Sequence, residues 1–168
     1  MESIPISTQG FDRVQKELAR LKSERPHVIK AIQEAREEGD LSENAAYEAA
    51  RERQSLLEAR IVYIESRMPY FNVLDPGKIS GERIAFGATV RLADLDMGVE
   101  REYIITGPDE TDFVAKEKNA VSVFSPVGRA LLGKAAGDEV VVDVPRGKIH
   151  FEVIGISYRG PFIEADQA

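Results

Sequence analysis

Two carboxylates, Asp40 and Glu43, flank Leu41-Ser42 immediately after Gly39. Acids three apart at a helix start lie on one side of its first turn, so the pair could share a cation. The same spacing also makes a capping box, with Asp40 as the cap, Glu43 reaching back, and Gly39 closing the preceding helix. These readings are compatible. Two carboxylates do not make a closed magnesium site, because that ion takes near-octahedral oxygen ligation and keeps several waters. If they serve a metal, a second protein must complete the shell. Arg36 and Arg51 are near the same point, where they could approach an RNA phosphate, pair with Glu37 or Glu48, or simply solvate the surface.

Other candidate chemistry is thinner. Tyr47 falls on an apolar stripe and is expected to pack there with its hydroxyl at the edge. His27 and His150 have no ligand company, so no metal is assigned to them. Ser125 lacks a GxSxG elbow and instead looks like a helix cap followed by Pro126. Gly128, Gly133 and Gly137 are not followed by the lysine and hydroxyl of a phosphate loop. The chain has no cysteine, which excludes disulfides and thiolate chemistry and suits a reducing, cytoplasmic setting. A net charge of −7 argues against general phosphate neutralisation, leaving only local nucleic-acid contact. No run approaches the ~20 apolar residues of a membrane helix, and the first residues lack a secretory core.

The elements that must carry the acids follow from periodicity. Phe11, Val14, Leu18, Leu21, Val28, Ile32 and Ala35 step by three and four, with Arg25 breaking the series. A second series runs Tyr47, Ala50, Gln54, Leu57, Ile61, Ile64 and Met68, with Ala49 and Leu56 widening it, and ends before Pro69. Each stripe needs a partner, and the short break at Glu38-Gly39-Asp40 makes them partners of each other: an antiparallel coiled-coil hairpin. Arms of about 28 residues rise roughly 40 Å, which puts the acidic turn, residues 39–44, at the far end. Pro26 removes a backbone donor within the first arm and predicts an irregularity near Arg25.

Past Asp75-Pro76-Gly77 the period changes to that of strands. Two hairpins are expected, Ala88 to Asp94 with Arg101 to Thr106, and Glu139 to Val144 with Lys148 to Tyr158. A phase slip after Val153 predicts a bulge. A short helix from Pro126 to Leu132 should lie between them, closed by Gly133. The expected fold is α+β: a hairpin over 1–75, a linker over 76–82, a β-rich domain with one short helix over 83–160, and a tail over 161–168.

The stretch EAREEGDLSENAAYEAARERQ resembles the tip signature of the Gre transcript-cleavage (transcription elongation) factors, GreA type. The likeness extends through IPISTQGFDRVQKELARL, FGATVRLADLD and SVFSPVGRALLGKAAGDEVVVDVPRGKIHFEVIGISY, the last resembling the family's FKBP-like domain, and covers roughly residues 4 to 158. The resemblance implies a factor whose hairpin enters the secondary channel of RNA polymerase while the second domain grips the rim. Asp40 and Glu43 match the family's tip acids, which help hold the second active-site magnesium and position the water that cuts backtracked RNA. Asn44, Tyr47, Arg36 and Arg51 match further tip or RNA-path positions. No cofactor of its own is implied, magnesium being shared with the polymerase, which remains the enzyme. The partners implied are the polymerase and backtracked RNA, and DNA of the elongation complex could be touched. A monomer is expected, since the seam is used within the chain.

Ala46 and Ser42 depart from the family pattern, where many members carry an acid and a base, which puts local affinity for metal or RNA in doubt. Three other readings stay open: a channel-binding inhibitor of the same architecture, an FKBP-like isomerase or chaperone with a helical appendage, and a purely structural coiled coil.

Overall fold

The computed structural model describes residues 2–38 and 45–165, and the chain divides into two compact units. One is residues 14–70; the other combines residues 1–13 with 71–168.

In the first unit, α1 (Thr8–Glu37) and α2 (Ala45–Arg67) pair along their apolar stripes. On α1 the buried positions Val14, Leu21, Val28 and Ala35 recur every seven residues, and on α2 Leu57, Ile61 and Ile64 step by four and three. That is the seam of a two-helix coiled coil. Contacts across the seam descend α2 as they climb α1, from Lys22 with Glu65 at 2.8 Å, through Arg25 with Glu58, to Arg36 with Tyr47, so the helices are antiparallel; Glu17 also pairs with Arg60. Arg25, which interrupts the apolar series, reaches Glu58 with two parallel bonds, Nε to Oε1 at 2.7 Å and Nη2 to Oε2 at 2.9 Å. The seam thus accepts a polar position by partnering it. Helix α1 runs through Pro26 without ending.

The expected widening of the second stripe does not occur: Ala49 is exposed, and Leu56 is 66% exposed. A pair of helices packed on each other covers one stripe apiece, and these two positions fall outside it.

The second unit begins with β1 (Ile4–Ser7), which pairs in parallel with β2 (Phe71–Leu74), Ile4 opposite Phe71. The first turn of α1 belongs here too, and Phe11 meets the Phe71 ring edge-on at 6.0 Å. By compactness, therefore, the ends of the expected hairpin segment sit with the β-rich part, because the parallel pair ties them there. Asp75 caps a 3₁₀ turn over Pro76–Lys78 by accepting from the Gly77 N–H.

The main sheet holds β3 (Ala88–Asp94), β4 (Val99–Thr106), β5 (Ala120–Ser122), β6 (Glu139–Val144) and β7 (Gly147–Tyr158) in the order β5-β4-β3-β7-β6. Both expected hairpins are present, and the register of β3 on β7 slips between Arg91 and Leu92, leaving Ile154 unpaired at the predicted bulge. The strand β5, parallel to β4, has no counterpart in the sequence reading. Val90, Leu92, Ile105, Phe151 and Val153 form the core with Leu131 of α3 (Pro126–Leu131). Phe162 and Ile163, placed in an expected tail, are buried in it, Phe162 lying edge-on to Phe86 at 5.9 Å. They extend the core beyond the last strand.

Ser125 caps α3, accepting from the Gly128 N–H at 3.1 Å. Gly128 lets that turn sit on the chain: a Cβ there would lie 2.0 Å from the Ser122 carbonyl oxygen. We expect Gly128→Ala to lower stability by about 1–3 kcal/mol, the usual range for an overpacked site, read as a fall in the thermal midpoint.

In the arm, the Arg25 guanidinium holds the Glu58 carboxyl below its ordinary value, chiefly by hydrogen bonding and against a smaller opposing effect of burial. A carboxylate depressed in the folded state stabilises at pH above its unfolded pKa and loses that contribution as pH falls through the folded one. The stability difference between wild type and Glu58→Gln should therefore be largest near neutrality, shrink as the pH falls below the glutamate range, and shrink in salt. A pH-independent difference would show that the pair does not carry it.

Candidate functional site

Asp40, Glu43 and Asn44 lie outside the described residues, as does Ser42. The described ends of the two helices frame them. Arg36 is in the last turn of α1, where a cation complements the helix dipole, and Glu48 is in the first turn of α2, where an anion does. Ala46 is exposed in that same turn.

Three of the singled-out residues come together here. Tyr47 is half-buried, and the guanidinium carbons of Arg36 and Arg51 each lie 5.8 Å from its ring centroid. Arg51 reaches the ring because it follows Tyr47 by four residues on one helix face. Arg36 reaches it from the other helix, and its Nη2 points at the phenol oxygen at 3.5 Å. Both arginines are exposed, in keeping with a solvated role, and each in addition lies over an aromatic face. The Arg36 hydrogen bond, helped by the charge of both guanidinium groups and opposed by burial, holds the Tyr47 phenol below its usual value. The cluster holds two guanidinium groups against one ring, and guanidinium groups can bond phosphate oxygens.

Elsewhere the candidates have structural partners. His150 Nδ1 is 3.0 Å from Asp96, whose carboxyl it holds down. His27 is exposed. Among the described residues, no group of three or more His, Cys, Asp or Glu is placed to hold a metal. No described helix is long and apolar enough to cross a membrane. In the β-rich unit a concavity of about 600 Å³ is lined by Ile84, Phe86, Val123, Phe124, Arg129 and Leu132 among others, with Phe124 and Leu132 part-exposed at its wall. No polar side chain singled out as a candidate converges on it.

A fully buried carboxylate, Glu110, escaped the sequence reading. It sits in the turn Gly107-Pro108-Asp109-Glu110, whose composition signals only a loop.

Residues 4–73 match the family model for the transcription elongation factor N-terminal domain, and residues 79–158 match that for the GreA/GreB C-terminal domain. The chain is 62% identical over 160 residues to the transcription elongation factor GreA of Nitratidesulfovibrio vulgaris strain DP4, covering 95% of this chain and 96% of that one. It is 60% identical over 166 residues to the GreA of Solidesulfovibrio magneticus, covering 99% of each. Among solved structures, GreA factor homolog 1 of Thermus thermophilus is 29% identical, with 93% of this chain and 99% of that chain covered and a TM-score of 0.43.

Phenolate absorbance followed against pH should show one of the five tyrosines ionising ahead of the others. Tyr47→Phe should remove that step and Arg36→Ala should move it up. An unchanged titration in both variants would dissolve the cluster.

Proposed function

From this chain's membership of the GreA/GreB family of transcription elongation factors, we propose that it rescues arrested transcription by stimulating RNA polymerase to cleave its own backtracked RNA. The observation that carries the reading is the arrangement of the arm. The cationic Arg36–Tyr47–Arg51 cluster joins the two paired helices on either side, in sequence, of the carboxylate pair Asp40 and Glu43.

Helix α1 alone rises ~45 Å over its 30 residues, long enough to carry the turn into a deep channel of a partner. In this reading the hairpin enters the secondary channel, and the β-rich unit holds the rim outside. Asp40 and Glu43 supply oxygen ligands that the polymerase's own residues leave open, and they orient the attacking water. A magnesium ion held jointly there would supply positive charge for cleavage of the RNA phosphodiester. Arg36 and Arg51 neutralise RNA phosphate, Tyr47 keeps both guanidinium groups in place, and Asn44 contacts the turn's surroundings. The polymerase is the enzyme; this chain completes its site as a cytoplasmic monomer.

The test uses backtracked elongation complexes of the cognate polymerase with wild-type protein, Asp40→Ala and Glu43→Ala, the fold being checked by circular dichroism. Wild type should accelerate magnesium-dependent cleavage, and each variant should lose on the order of 10- to 100-fold of that acceleration, the usual cost of disturbing a metal's ligand surroundings, while still binding polymerase. Equal cleavage by folded variants would leave the acids as helix caps. A wild type that binds and suppresses cleavage would make the chain an inhibitor.

A further inference from the structure

The main sheet carries the core on one face, with Val90 and Leu92 of β3 inside it. Thr89 and Arg91 alternate with them and so belong to the other face. There Thr89 lies opposite Ser157 of β7, while Arg91 has Glu102 of β4 on one side and Gly155 of β7 on the other. Together with Arg159 they line a concavity of about 260 Å³, wholly within the β-rich unit.

Thr89 is 7% exposed, and its hydroxyl makes no hydrogen bond with a described residue. Since no buried side-chain oxygen among the described residues lacks a partner, this hydroxyl is the part of Thr89 that opens on the concavity. The Ser157 hydroxyl, on the neighbouring strand, is likewise unbonded to any described residue. Gly155 leaves the floor open. Its φ is not in the left-handed region, and a Cβ on it would meet nothing within 4 Å, so neither conformation nor packing calls for glycine. A glycine inside a strand weakens it, and one that no contact explains leaves room for a group that approaches the backbone.

Charge decides which group. Arg91 Nε is 3.9 Å from Glu100 Oε2, too long for a hydrogen bond. Arg159 gives Nη1 to Glu102 at 3.2 Å, which steadies the guanidinium and leaves Nε and Nη2 for a ligand. Two guanidinium groups and two hydroxyls offer more donors than a carboxylate uses and suit the terminal oxygens of a phosphoryl group. The volume is below the ~300 Å³ at which pockets for whole drug-sized ligands begin, so a headgroup enters and the rest of its molecule stays outside.

We propose that this concavity binds the phosphate monoester of a small ligand, Arg91 and Arg159 meeting its charge, Thr89 and Ser157 bonding its oxygens and Gly155 making room for it. Glu102 limits the affinity, because its carboxylate stands beside the incoming anion. The site is independent of the reading of the hairpin tip.

The test is titration of the isotope-labelled full chain with inorganic phosphate and with a nucleoside monophosphate at fixed ionic strength, followed through the amide signals of Thr89, Gly155 and Ser157. Both should give saturable shifts centred on those residues, and acetate should give none. Arg91→Gln combined with Arg159→Gln should weaken binding about tenfold or more, the usual worth of hydrogen bonds to charged groups, and Glu102→Gln should tighten it. Gly155→Val puts a strand-favouring side chain into the concavity, so it should abolish binding without lowering the thermal midpoint. Shifts that do not saturate, or that acetate reproduces, would be ionic screening and would sink the proposal. Wild-type affinity in the double arginine variant, or in a folded Gly155→Val, would place the anion elsewhere and overturn it. A trinucleotide without a terminal phosphate that binds as well as the monophosphate would replace it with a nucleic-acid backbone contact. The arginine variant changes two exposed side chains and decides should Gly155→Val fail to fold.

Discussion

Two helices that pack on each other bury one stripe on each member, and the arm of this protein is built on that limit. Val14, Leu21, Val28 and Ala35 face Leu57, Ile61 and Ile64, and nearly everything else on the two helices meets solvent. Burial fixes that the helices pair, but a stripe of similar aliphatic residues tolerates sliding by a turn. Register comes from the polar partners: Glu17 with Arg60, Lys22 with Glu65, and the two-bonded Arg25–Glu58 pair. Each contributes little to stability, yet each is satisfied in one alignment only, the role charges flanking a coiled-coil seam usually play. The Arg36–Tyr47–Arg51 cluster depends on that alignment, since a slip of one turn would carry Arg36 away from the ring. The geometry next to the tip is thus set by contacts well below it.

The β-rich unit solves a different problem with the same economy of polar groups. No buried side-chain nitrogen or oxygen among the described residues is left without a partner. Asp94, 4% exposed, accepts the Asp96 and Met97 N–H groups of its hairpin turn. Glu110 does the same for Ser7 and Gly107. Buried carboxylates serve here as acceptors for backbone donors that have no strand or helix partner, which offsets the cost of removing them from water.

What was legible in the sequence was what is local and periodic. The heptads gave both arm helices, alternation and turn residues gave both hairpins and the bulge, and Ser125-Pro126 with Gly133 gave the short helix. What was not legible joins segments far apart. Ile4–Ser7 and Phe71–Leu74 are too short to signal a strand alone and become one only by pairing in parallel across the whole arm. Phe162 and Ile163 follow a strand with no periodic pattern of their own, and only the core they join, with Phe162 edge-on to the Phe86 ring, explains them. Glu110 carries no signal at all, because a glutamate in a Gly-Pro-Asp turn is ordinary until its distant partner is known. Ala49 and Leu56 failed in the opposite direction, since apolar type suggested burial where no neighbour exists to provide it.

The turn itself shows why local structure is an incomplete account of its residues. Glu37, Glu38, Asp40 and Glu43 place four acids within seven residues, and like charges this close repel one another. A capping box needs one acid at its third helical position and a small polar cap, and Ser or Asn would cap as well as Asp without the added charge. Arg36 and Arg51, which flank the turn in sequence, each lie 5.8 Å from the Tyr47 ring centroid. A sequence selected for stability alone would dilute so dense a run of acids with Lys or neutral residues. The density is intelligible if a divalent cation held partly by another protein meets these carboxylates, because the repulsion that costs stability in the free protein becomes attraction toward that cation. Under the proposed function, that excess negative charge would serve delivery to the partner's cation, and the free protein would not need to hold the ion.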